Sequence, residues 1–269
     1  KGKSLWTDNG EGEKLGFYRA QSQDEEAMYI ASHILSEYSK GHTPRDFAVL
    51  YRNNAQSRVL EQCFNNNLVP YRIYGGLRFF DRQEVKDVMA YLRVMTQPDD
   101  TSLLRVINHP PRGIGSTTIE RIQDWAQSHF MGLWEAMSDA RAKEAEPAFA
   151  RAQVFVDLIA SIRSETKGKP LNEVVAKVIK LSGLKDYYNK QRDRDIRIEN
   201  MNEIVNAAAG YCEENGIDRD FPATEILEGG NMSPMEGFLA QAVLESDDKN
   251  EQKPPEGCAI NDNSREQRS

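Results

Sequence analysis

The chain changes its periodicity once, beside the paired glycines Gly75 and Gly76, and that change limits the folds open to it. Before it, short apolar runs alternate with helical patterns. "KLGFYRAQ", "FAVLY" and "PYRIYGG" read as strands. Asp24, Glu25 and Glu26 open a helix whose apolar face, Ala27, Ile30, Ala31, Ile34, Leu35 and Tyr38, follows the 3.6-residue period, and the acidic start suits the helix dipole. A second helix bears Val59, Leu60, Cys63 and Phe64. Strand, helix, strand, helix, strand is the order of a parallel α/β sheet. After the glycines, apolar residues recur only at helical spacing: around Val85–Leu92, Ile119–Ala126, Phe155–Ile162, Leu171–Val178, Ile198–Ala208 and Met235–Ala242. The expected fold class is α/β plus all-α, mainly helical overall. A partial parallel sheet is expected over residues 1–74 and a larger helical domain over 75–245. The polar, aperiodic stretch 246–269 is expected to be a disordered tail.

Composition removes several classes of function. With 28 % charged and 39 % hydrophobic residues, this is the makeup of a soluble globular chain. No apolar run approaches the ~18 residues of a membrane span, and no signal-peptide pattern opens the sequence, so a cytoplasmic protein with no membrane partner is expected. Cys63, Cys212 and Cys258 are far apart and odd in number, which argues against a disulfide framework and a CxxC metal knuckle. His33, His42, His109 and His129 show no ligand spacing, and no metal is expected. The net charge of −8 argues against wholesale coating of nucleic acid, yet the cations cluster locally. One group is Arg72, Arg78, Arg82, Lys86 and Arg93, a second Arg105, Arg112 and Arg121, and a third runs through residues 185–197.

Two apparent nucleotide motifs lack their context. "KGKS" spells the end of a Walker A loop, but no strand and first glycine precede it and no apolar helix follows. Asp24-Glu25-Glu26 resembles a Walker B box, but "YRAQSQ" before it is too polar for a buried strand. No nucleophile, base and orienting acid form a set, so no catalytic residue is assigned.

Three stretches point to anions instead. In "FAVLYRNNAQSR", Arg52 and Asn54 fall at the end of a strand, where α/β sheets bind ligands; the alternative is a helix cap beside a solvated arginine. In "NHPPRGIGSTTIERI", Gly113 and Gly115 bracket Ile114, and Thr117 and Glu120 have capping-box spacing. A Gly-Ile-Gly turn entering a helix exposes backbone N–H groups as a phosphate cradle, with Arg112 beside it. The alternative is a tight interhelical turn with Ile114 plugged into the core. In "YGGLRFFDRQEVKD", Lys86 lies on a polar helix side, and Phe79 and Phe80 are open to stacking, an interdomain contact or packing.

Taken together, "LYRNNAQSRVLEQ", "PYRIYGGLRFFDRQEVKDVMAYLRV" and "RVINHPPRGIG" resemble the UvrD/Rep/PcrA family of superfamily 1 DNA helicases over residues 1 to about 245. The resemblance implies that residues 1–74 are the first part of a RecA-like subdomain, 2A, and residues 75–245 its helical insertion, 2B. It implies single-stranded DNA contacts at Arg52 and Asn54, and duplex contacts at Lys86, Gly113, Ile114, Gly115 and Thr118; Arg58 in the same stretch is counted with the single-strand candidates, and Arg112, beside the turn, with the duplex candidates. The implied parent is an ATP-dependent 3′→5′ helicase of repair or replication that uses ATP and Mg2+. This stretch is expected to hold no cofactor and to hydrolyse no ATP. Its expected partners are DNA at a single-strand–duplex junction, the remaining helicase subdomains and unspecified repair proteins. Two rivals stand beside this reading: a stand-alone helical DNA-binding module, and a docking or autoinhibitory module without motor activity.

Overall fold

The computed structural model describes residues 12–52, 54–73, 77–145 and 148–247. "KGKS", the Gly75-Gly76 junction and most of the expected tail lie outside them.

Two apolar cores form. The smaller is built on α1 (Gln23–Tyr38) and α2 (Ser57–Asn66). Ser22 caps α1 by accepting from the Glu25 N–H at 3.1 Å, and the three acids of the first turn face the positive end of the dipole. Ala27, Ala31 and Ile34 then pack against Val59, Leu60, Phe64 and Val69, with Phe47, Val49 and Tyr71 at the edge.

The sheet expected over residues 1–74 is not seen. Among the described residues the one β-bridge is the isolated Pro170–Pro222 pair, and residues 47–51 and 69–73 run beside the two helices without a ladder. An apolar run can prefer an extended backbone locally, but a strand is held by hydrogen bonds to a neighbour about 4.8 Å away. Among the described residues these segments have no such neighbour, and Leu50 stands 94 % exposed.

The larger core contains α3 (Gln83–Thr96), α4 (Asp100–Val106), α5 (Ser116–Ser128), α6 (Leu133–Ser138), α7 (Ala140–Ala145), α8 (Ala148–Thr166), α9 (Leu171–Leu181), α10 (Leu184–Tyr188), α11 (Arg194–Glu214) and α12 (Pro234–Asp247). All six helices expected from periodicity are present. The four shorter ones, α4, α6, α7 and α10, span too few turns to repeat a pattern. Helix α3 is the axis: ten of its fourteen residues are buried, and α4, α9, α11 and α12 pack on it. It is therefore a core helix rather than a surface helix with one apolar stripe. Phe79 and Phe80 precede it on a 3-10 turn, both buried, their rings edge-to-face at 5.1 Å. The tighter turn, unlike an α-helix face, lets consecutive aromatics both enter the core, so neither is a free stacking surface.

The two cores meet across a polar seam. Arg58 Nε lies 2.6 Å from Glu203 Oε1, the side chains only 12 % and 7 % exposed. Arg82 donates to Asn200 Oδ1 at 2.9 Å and to Ser57 Oγ at 2.8 Å. Glu84 accepts from Asn200 at 2.6 Å and from Arg197 at 2.8 Å. Each buried charge in the seam has a partner, so removing one partner alone leaves the other stranded.

Candidate nucleic-acid interface

The most developed candidate site is the turn between α4 and α5. Asn108 organises it from within: its side-chain oxygen accepts from the Arg112 N–H at 2.7 Å and the Ile114 N–H at 3.2 Å. The signal for this was in the sequence, since an Asn ahead of a Pro-Pro pair favours a side-chain-closed turn. Gly113 takes a φ of +76°, which disfavours any side chain, and Ile114 is fully buried beneath the turn. The plug and the exposed glycines thus coexist in one structure.

Gly115, with φ −82° and ψ 176°, is the N-cap of α5, and its carbonyl accepts from Thr118 and Ile119. Thr117 is therefore the second helical residue rather than the start of a capping box. The first N–H groups of α5 have no intrahelical acceptor, and Ser116 and Thr117 beside them are exposed. A Cβ built on Gly113 or Gly115 meets nothing within 4 Å, so the approach is open. Positive dipole end, unclaimed amides and an open approach together suit an anion. Thr118 is buried, 5 % exposed, on the inner side of the same helix.

Arg112 does not face that opening. Its guanidinium donates to the carbonyls of Pro110 at 2.9 Å, Val106 at 3.3 Å and Ser182 at 2.6 Å, and lies over the rings of Tyr91 and Phe155. It braces the turn from behind. A second brace runs through the buried Asp87. Its carboxylate meets Arg105 Nε at 2.7 Å, His109 Nε2 at 2.9 Å and the Tyr188 hydroxyl in a short hydrogen bond. Burial pushes the Asp87 carboxyl up, but the hydrogen bonds from His109 and Tyr188 and the charge of Arg105 outweigh it and hold the carboxyl below its ordinary range. Tyr91 ties the same loop to α3 by donating to the His109 carbonyl at 2.7 Å. Asp87 and Tyr188 are 101 residues apart, and no local pattern announces the pair.

The remaining candidate residues are dispersed. Lys86 is 44 % exposed, with its Nζ 2.6 Å from Asp81 Oδ1. Arg52 is exposed, its backbone N–H donating to Gln56 Oε1 at 3.2 Å. It borders a cleft of about 190 Å³ between α1, α2 and the run ending at Tyr51. Asn54 opens the 3-10 turn Asn54–Gln56 that leads into α2. Arg58, one turn further on, faces away into the seam, held by Glu203 and by Gln62 at 2.8 Å. Arg52 and Arg58 thus occupy different environments. Among the described residues no three His, Cys, Asp or Glu side chains gather as a metal site.

A helical domain carrying an anion-ready turn, joined through a polar seam to a two-helix unit, has a family. Residues 1–254 match the UvrD-like helicase C-terminal domain, and the chain belongs to that family. It is 37 % identical over 250 residues to DNA helicase II of Escherichia coli (strain K12), covering 91 % of this chain and 33 % of that protein. It is 35 % identical over 222 residues to the ATP-dependent DNA helicase PcrA of Staphylococcus epidermidis (strain ATCC 12228 / FDA PCI 1200), covering 81 % of this chain and 30 % of that one. The chain thus spans about a third of the length of these relatives. No helix among the described residues is long and apolar enough to cross a membrane.

Proposed function

We propose that this chain is the DNA-gripping part of an ATP-dependent 3′→5′ DNA helicase of repair or replication. Residues 1–74 act as the start of the RecA-like subdomain and residues 75–245 as the helical domain that holds duplex. Arg52 and Asn54 contact the backbone of the single strand. The turn from Gly113 into α5 takes a phosphate of the duplex on its unclaimed N–H groups. ATP and Mg2+ belong to the rest of the parent, and this chain alone hydrolyses no ATP.

The observation that carries this reading is the amino end of α5, open to solvent and pre-shaped by Asn108. A site whose dipoles are already fixed binds without first ordering a loop. Contacts of this kind grip backbone and ignore base sequence.

Thr117→Glu tests it. A glutamate in the first turn favours the helix by its dipole, so the fold is retained, while its charge repels a phosphate. Duplex affinity, measured by fluorescence anisotropy on the full chain, is expected to fall several-fold with the melting temperature unchanged. Unaltered duplex affinity in the folded variant overturns the assignment.

A further inference from the structure

With Arg112 turned inward, the amino end of α5 has no cation supplied by its own turn. We propose that the α9–α10 corner supplies it: Lys180 and Lys185, on either side of the Ser182-Gly183 bend, extend the turn into one surface for the phosphate backbone of duplex DNA. This rests on the duplex reading given above.

Corner and turn are built as a single body. Arg112 Nη2 donates to the Ser182 carbonyl at 2.6 Å, and a Cβ on Gly183 would lie 3.8 Å from Pro110 Cγ. The His109 ring meets Tyr187 edge-on at 4.6 Å, and Tyr188 reaches Asp87. Gly183 bends the chain with a φ of +79°, a value that favours glycine. The two corners therefore hold a fixed spacing.

The lysines at this bend differ from those earlier on the same helix and before it. Lys169 pairs with Glu173 at 2.8 Å and Lys177 with Glu165 at 3.1 Å. Lys180 and Lys185 are exposed, and neither forms an ion pair among the described residues. Asp186, also exposed, is the one acid within residues 180–186.

Charge density explains why such lysines matter. B-DNA carries one negative charge per ~1.7 Å of axis, so an amide cradle that holds one phosphate leaves its neighbours uncompensated. Lysine suits those neighbours, because a flexible ammonium needs no fixed bidentate geometry. Such a surface contacts backbone and carries no sequence preference.

The test is the salt dependence of duplex binding by the full chain, comparing the unaltered protein with the Lys180→Ala/Lys185→Ala double variant. Each phosphate neutralised contributes about −0.9 to the slope of log K against log salt, so the double variant is expected to bind with a slope shallower by about 1.8. Lys180→Arg/Lys185→Arg should keep the original slope. Both positions are exposed, so the melting temperature should not move. An unchanged slope in the alanine variant, with Thr117→Glu still weakening binding, overturns the corner and leaves the turn standing. Indifference to both sets of substitutions removes the duplex reading itself.

Discussion

Arg112 donates to the main-chain carbonyl of Ser182 at 2.6 Å, joining two corners of the helical domain that lie 70 residues apart. An arginine beside a glycine turn suggests a phosphate ligand. Here it is a strut, its donors facing three carbonyls and its plane covering two aromatic rings.

Arg112→Ala separates the two roles. Removing the strut is expected to lower stability by about 1.5–3 kcal/mol, the range for hydrogen bonds made by a charged group. The salt slope of duplex binding should stay where it was. A slope shallower by about 0.9 with stability intact would return Arg112 to the phosphate.

The seam between the cores yields a second prediction. Glu203→Ala leaves the Arg58 guanidinium buried without its paired carboxylate, with Gln62 still accepting from it. Stranding one partner of a buried pair costs about 3–5 kcal/mol. Arg58→Ala/Glu203→Ala should cost less than the two single changes summed, because the second removal relieves the charge stranded by the first. Urea denaturation of all four proteins measures the coupling, and strict additivity would mean the pair is not formed in solution.

Asp87 sets the expected response to acid. Its carboxyl is held below the ordinary value, which is about 3.9 for aspartate. A depressed carboxylate adds stability that is complete above the unfolded value and fades as pH falls through the lower folded one. The contribution should therefore persist at pH 5, begin to fade only below about pH 4, and be lost once the pH has fallen through the lower folded value. Asp87→Asn should melt lower at pH 7 and lose less between pH 5 and pH 3. An acid profile superimposable on that of the unaltered protein would show that Asp87 is not the titrating anchor.

The longer helices, the acidic start of α1 and the glycine turn that enters α5 are all legible in the order of the residues. These depend on spacing within a few residues, and a helix face or a turn conformation is decided at that range. The same order also carried the family, through stretches such as "RVINHPPRGIG". Where the charged side chains go is settled by long-range packing. Arg52 and Arg58 belong to one short stretch, yet one meets solvent and the other meets Glu203, 145 residues away. Phe79 and Phe80 enter the same core because a 3-10 turn replaces the α-helical face. The apolar runs near residues 47–51 and 69–73 have strand composition but no ladder among the described residues. A side chain's partner, and a strand's neighbour, come from distant parts of the chain, and local periodicity contains no term for either.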